Sequence, residues 1–181
     1  MKYCSECGGK VVHRIPIDDD RKRFVCDACG IIYYNNPKVV VGCIPVWEDR
    51  ILFCRRAIEP CYGKWTIPAG YLENGETVEE GAMRETYEEA GATIEHLKPY
   101  ALYNITFINQ IYLFFRAGIK DGDFKAGRES LEVRLLTENE IPWDDLAFKA
   151  VRSVLRRYVK NLAEGVFPFR TDDILQDFNF T

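Results

Sequence analysis

The 181-residue chain lacks any long apolar run. The longest, Val39 to Val46 (VVVGCIPV), is far short of the roughly 20 residues that a membrane-spanning helix needs. The opening residues MKYCSECGGK contain no apolar core of the secretory-signal kind. Internal repeats and low-complexity tracts are also missing. So is an excess of positive charge: the formal net charge is −4, which argues against a bulk nucleic-acid binder. With 47% hydrophobic and 29% charged residues, the composition is that of a globular chain with one full domain and a small appendage. These absences lead us to expect a cytoplasmic protein with no membrane partner, where clustered cysteines favour metal over disulfides.

Cysteine is the first thing present in quantity. Four of the seven fall in the first 30 residues as two pairs, Cys4/Cys7 and Cys26/Cys29, with 18 residues between them. Each CxxC turn can offer two thiolates to one tetrahedral ion, and the gap lies within zinc-site spacing. Gly8 and Gly30 follow the pairs, where a tight turn gains from a missing Cβ. VVHRIPI and KRFVC read as short strands around the turn DDDR. The reading is a zinc ribbon over residues 1–37, and two disulfides or a redox pair is the alternative. Six Lys or Arg against five acids leave that segment at +1, a poor phosphate footprint, so its role reads as structural. Cys43, Cys54 and Cys61 follow no pattern.

Beyond NNPK, KVVVGCIPV reads as a buried strand and ILFCRR as its hairpin partner. ALYNITF, QIYLFFRAGI and EVRLL are further strand candidates. A helix is expected over 77–90, stopped by Gly91, and another over 146–164. Residues 165–181 form a tail with no assignment. The last helix carries Lys149, Arg152, Arg156 and Lys160 on one side, with Arg157 alongside. We read that side as solvated, opposite an apolar side of Val151, Val154, Leu155, Tyr158 and Leu162.

The stretch GYLENGETVEEGAMRETYEEAGA, from Gly70, holds seven Glu and one Arg. Thr77 and Glu80 form a capping box that sets the helix start. Glu85, Glu88 and Glu89 then share one arc, while Met83, Thr86, Tyr87 and Ala90 are expected to pack on a sheet. Glu85 and Glu89 repel at i, i+4, and Glu88 and Glu89 sit at the negative end of the helix dipole. Arg84 has Glu80 and Glu88 as neighbours at i±4. Two local rules broken together suggest a functional site. A hard divalent cation would resolve the conflict, since Mg²⁺ prefers carboxylate and phosphate oxygens.

The spacing Gly70-x5-Glu76-x7-Arg84-Glu85-Thr86-Tyr87-Glu88-Glu89-Ala90-Gly91 resembles the Nudix box, GX5EX7REUXEEXGU, with departures only at the aliphatic positions Thr86 and Ala92. The resemblance covers about residues 38–160. It implies an α/β Nudix fold, a mixed β-sheet between helices, over 38–164. By position it implies Mg²⁺ or Mn²⁺ ligands at Glu85, Glu88 and Glu89, joined by the Ala69 carbonyl. Arg84 would orient a glutamate, Gly70, Glu76 and Gly91 would support the box, and Glu129, or failing it Glu132, would complete the site from RESLEVRLL. The family's shared chemistry is hydrolysis of a nucleoside diphosphate linked to another group.

A ribbon ahead of such a domain resembles the NADH pyrophosphatases, yet LYNITFINQIYLFF stands where they carry an SQPWPFP-type motif. The likeness to a short-ribbon subgroup implies a small-molecule nucleotide such as FAD or ADP-ribose. NADH, diadenosine polyphosphates, 8-oxo-dGTP, RNA 5′-end processing and a low-turnover regulatory module are the alternatives. Arg55, Tyr103, Phe107 and Tyr112 are candidate substrate contacts, with Arg56 beside them. Dimers are common in related proteins, so a homodimer is a further expectation.

Overall fold

A computed structural model describes residues 1–175. It divides the chain into two compact units, Met1–Pro37 and Lys38–Thr181. In the small unit, β1 (Val11–Arg14), β2 (Arg23–Cys26) and β3 (Ile32–Tyr33) form an antiparallel sheet in the order β1-β2-β3. Its core cluster is Cys4, Val11 and Cys26, with Phe24 and Tyr33 packed against them, and Val25 is also buried. So little apolar surface cannot hold a domain of this size without a staple.

The large unit is built on one mixed sheet. Its strands are β4 (Lys38–Trp47), β5 (Arg50–Arg56), β6 (Trp65–Thr66), β7 (Ala69–Tyr71), β8 (Ile94–Ile105), β9 (Gln110–Ile119), β10 (Ser130–Leu136) and β11 (Arg170–Asp173). The order is β10-β5-β4-β9-β8-β11, with β6 on β5 and β7 on β4. The pairs β4–β9 and β8–β11 are parallel and the rest antiparallel. Alternation along β4 divides the core. Ile44 packs with Phe53, Phe114 and the helix α2 (Lys149–Glu164), whereas Val41 and Cys43 pack with Leu52, Phe115 and the helix α1 (Val78–Ala90). The sheet is thus sandwiched between two helices. Among the described residues no helix is long and apolar enough to cross a membrane.

The strands β4 and β5 meet only at their hairpin end, through Val46–Ile51 and Trp47–Arg50. Further along they part, and β7 takes the free edge of β4 while β6 takes that of β5. The gap this opens is where α1 delivers its acidic side chains.

Three sequence expectations change. The second helix begins at Lys149, not 146, because Leu146 is extended and closes a short 3-10 turn over Trp143–Asp145. Its sixth buried residue is Asn161, bonded to the Tyr100 hydroxyl at 2.7 Å, while Leu162 is exposed. Part of the unassigned tail becomes the edge strand β11, alongside β8. Residues 176–181 of that tail lie outside the described residues.

Candidate active site and metal centres

Helix α1 starts as its sequence predicts. The Thr77 hydroxyl accepts from the Glu80 N–H at 3.2 Å, and the Glu80 carboxylate accepts from the Thr77 N–H at 2.7 Å. Gly91, left-handed at φ 60°, ends it. The last turn has no basic side chain. The backbone of a distal loop takes over the carbonyls there: Lys125 N–H donates to Ala90 O at 2.8 Å and Gly127 N–H to Glu89 O at 3.0 Å. This docking brings Glu129 to the site, close enough for its charge to act on both Glu85 and Glu89.

The buried side of α1 differs from the expected one. Met83 and Tyr87 are exposed, whereas Gly81, Ala82, Thr86, Glu89 and Ala90 are buried. The cause is close approach. A Cβ on Gly81 would stand 2.9 Å from Val41, so the helix meets β4 through its smallest residues. The Thr86 hydroxyl is satisfied internally on Ala82 O at 2.7 Å.

Rotating the helix this way carries Glu89 inside. Its residue surface is 6% exposed, and its Oε2 accepts the Ala69 N–H at 3.3 Å. Burial, then the charge of Glu85, pushes its carboxyl up to about 8 from an ordinary 4.5. Burial raises Glu85 as well, against the pull of Arg84. The Glu85 carboxylate packs on Gly70 so tightly that no Cβ would fit there. Glu88 is the outermost of the three.

Arg84 ties the acids together. Its Nε and Nη2 grip the Glu76 carboxylate at 3.0 and 2.7 Å, its Nη1 reaches Glu85 at 2.7 Å and Glu88 at 3.2 Å, and its Nη2 also donates to Tyr71 O at 3.0 Å. The fork on Glu76 holds that carboxyl near 2. Glu80 is not among the partners, because the capping box has claimed it.

The other candidates are placed variously. Glu132 points to Arg55 at 3.3 Å and Arg134 at 2.8 Å, away from this cluster. Arg55 is further tied to Gly63 O at 2.9 Å. Tyr103 is 2% exposed and packs edge-on to Phe114. Phe107 lies exposed in the 3-10 turn between β8 and β9. Tyr112 is half-buried on the α2 side, within electrostatic reach of Tyr71 and Arg56.

Arg56, the next residue on β5, is placed differently from Arg55. Arg56 shares the strand parity of Leu52 and Cys54, is 9% exposed, and acts electrostatically on Glu89. Its Nε is fixed on Pro60 O at 2.8 Å and its guanidinium lies 5.0 Å over the Phe148 ring. Its terminal amino groups make no hydrogen bond among the described residues. The alternation of strand faces was the signal that could have separated it from Arg55.

In the small unit the four sulfur atoms of Cys4, Cys7, Cys26 and Cys29 all lie within 4.8 Å of one another. The Cys4–Cys29 and Cys7–Cys26 separations are 3.7 and 3.5 Å. A zinc–sulfur bond of about 2.3 Å implies tetrahedral edges of about 3.8 Å, so the set fits one Zn²⁺. Tyr33 adds a contact that nothing in the sequence announced. Its hydroxyl donates to Cys4 Sγ at 3.0 Å while accepting the Ser5 N–H at 3.0 Å. That bond draws the Cys4 thiol down to about 6.

The large unit therefore presents a partly buried cluster of mutually repelling carboxylates, with Glu89 inside and Glu88 exposed, and the small unit a four-thiol one. A family model described as NUDIX domain matches residues 36–160, and one described as Nudix N-terminal, a zinc ribbon, matches residues 2–35. The chain belongs to the Nudix family. A crystal structure described as a NUDIX hydrolase from Nitrosomonas europaea is 50% identical, covers 97% of this chain and 100% of its own, and superposes with a TM-score of 0.94. The Photobacterium profundum protein named NAD-capped RNA hydrolase NudC is 30% identical over 133 residues, 72% of this chain and 47% of its own. The Methanocaldococcus jannaschii protein named ADP-ribose pyrophosphatase is 30% identical over 130 residues, 68% of this chain and 76% of its own. This Nudix chain thus spans about half the length of the NudC relatives it matches.

Proposed function

We propose that the protein is a divalent-metal-dependent pyrophosphohydrolase acting on an ADP-containing dinucleotide, FAD or ADP-ribose. Water attacks one phosphorus of the pyrophosphate, the bridging P–O bond breaks, and AMP leaves with a second phosphate ester. The observation that carries this reading is the Glu85–Glu89 pair, desolvated beside Gly70 with too little positive charge to balance it. Such a donor set fits Mg²⁺ or Mn²⁺. Glu85, Glu88, Glu89 and the Ala69 carbonyl would hold the ion, which when bound neutralises pyrophosphate oxygens and acts as a Lewis acid. Arg84, anchored by Glu76, keeps Glu85 and Glu88 aimed, and Gly91 ends the helix that carries them. Glu129 supplies a further ligand or the base that takes the proton of the attacking water. Its proximity to Glu85 and Glu89 favours it over Glu132 for that part.

The experiment is a panel of FAD, ADP-ribose, NADH, diadenosine polyphosphate, 8-oxo-dGTP and NAD-capped RNA, with kcat/KM compared at fixed Mg²⁺. The reading expects FAD or ADP-ribose to lead. A lead for NAD-capped RNA, the substrate in the name of the NudC relatives, would displace it.

Arg56 is suited to the substrate's phosphate, because its fork is pinned on one side and unpaired on the other. Arg56→Lys should raise KM about tenfold or more, the loss of a charge-assisted hydrogen bond, with a smaller change in kcat. An unmoved KM would remove Arg56 from substrate binding.

The ribbon is read as a structural site for one Zn²⁺ on Cys4, Cys7, Cys26 and Cys29. The Tyr33 hydroxyl would orient the Cys4 sulfur within it. Tyr33→Phe should weaken zinc retention by about tenfold or more, measured as release to a colorimetric chelator. Identical release from both proteins would show that the hydroxyl is idle.

A further inference from the structure

A groove of about 660 Å³ opens between α2 and the β8–β11 edge of the sheet. Its walls carry more cation than they can use. Arg157 is paired with Asp172 at 3.1 Å and Lys160 with Glu164 at 3.8 Å. The remaining acid, Asp173, accepts from Asn104 at 2.9 Å. Four cations line the groove against three acids, a net of +1, and Arg156 and Arg170 on the rim have no ion-pair partner among the described residues. The Tyr103 hydroxyl and Arg157 Nε are buried in the wall; the hydroxyl faces the Arg157 guanidinium, and neither has a further partner among the described residues. Tyr103 as a residue is 2% exposed. Ile174, mostly buried in the core, lines the groove beside these groups. The volume falls in the range of small-molecule sites and exceeds what a bare oxyanion needs.

We propose that this groove binds a phosphorylated small molecule, its phosphoryl oxygens taken by Arg156, Arg157 and Arg170 and its body lying along Tyr103 and Ile174. Planar guanidinium forks match phosphoryl oxygens in pairs, and a surplus of cation draws in a dianion. The inference goes beyond the pyrophosphohydrolase reading and holds whether or not the carboxylates are catalytic.

The test uses the full chain in EDTA at constant ionic strength, so that no divalent ion can recruit phosphate to the carboxylates. Inorganic phosphate and glucose 6-phosphate are titrated by calorimetry, and the melting temperature is followed in parallel. Both should bind, the ester more tightly because its body meets Ile174 and Tyr103. Arg156→Glu with Arg170→Glu, two exposed positions that leave the core untouched, should weaken both by about tenfold or more. Tyr103→Phe removes the hydroxyl that faces Arg157, should change the ligand-free melting temperature little, and should weaken glucose 6-phosphate. No binding up to about 10 mM, which corresponds to only about 3 kcal/mol, would overturn the proposal. So would equal binding by the double variant, which would place the phosphate elsewhere. Lower stability of Tyr103→Phe with unchanged affinity would remove Tyr103 from the site.

Discussion

Glu89→Gln should abolish most hydrolysis, by about 10²–10⁴-fold in kcat, while the fold is kept and the metal-free protein becomes more stable at alkaline pH. The two effects have one origin. Glu89 is buried with Glu85 beside it, and its carboxyl is raised to about 8. A folded-state value above the unfolded one means that the native state binds the proton more tightly. The stability this confers is complete below about pH 4.5 and is lost as pH rises through about 8. Wild-type protein in EDTA should therefore melt at lower temperature at pH 8.5 than at pH 5, by an amount on the order of 3–5 kcal/mol at most. Mg²⁺ should remove most of the difference. The glutamine keeps the shape and can still accept the Ala69 N–H, but it never carries the charge. Its melting temperature in EDTA should be nearly flat over the same window. A glutamine variant with wild-type turnover would exclude Glu89 from the chemistry.

Gly70→Ala is expected to be the second most damaging change, although it adds one methyl group. The backbone of Gly70 is held in β7 against Val41, so the strand has no room to retreat. The new Cβ would fall on the Glu85 carboxylate, which Arg84 holds from the other side. Glu85 must leave its place, and the cluster loses its shape. Because the colliding atoms are the movable end of Glu85, the stability cost is small, about 1 kcal/mol, and the loss falls on activity, about 10²-fold or more. Gly70 has no positive φ, so alanine strains nothing by itself. Adding Glu85→Ala to Gly70→Ala should therefore restore the melting temperature and leave activity lost. If the double variant melts as low as Gly70→Ala alone, the damage lies in the strand and not in the collision.

The start and stop of α1 were legible because local chemistry writes them: a threonine with a glutamate three residues on, and a glycine at φ 60°. The start of α2 was not. Phe148 gives no side-chain cap, and the apolar pattern runs back through Leu146 without a break. The four-cysteine spacing was legible because two short turns facing each other leave few geometries. The burial of Glu89 was hidden. Periodicity reads large apolar residues as the inner side of a helix, but α1 meets the sheet through Gly81 and Ala82, and what counts there is fit. Arg84's partner Glu76 is eight residues away and outside the helix, so no helical neighbour rule finds it. That Glu129 comes within electrostatic reach of Glu85 and Glu89 depends on the loop that docks Gly127 on the end of α1, a tertiary contact with no local signature.

On this reading Glu89 keeps a proton when no metal is present and yields it to a divalent ion. Calorimetric titration of Mg²⁺ into the apo protein at pH 7, repeated in buffers of different ionisation enthalpy, counts the protons released. With its carboxyl near 8, wild type should release close to one proton per ion, and Glu89→Gln should release almost none. Metal binding without proton release in the wild type, or equal release in both proteins, would contradict it.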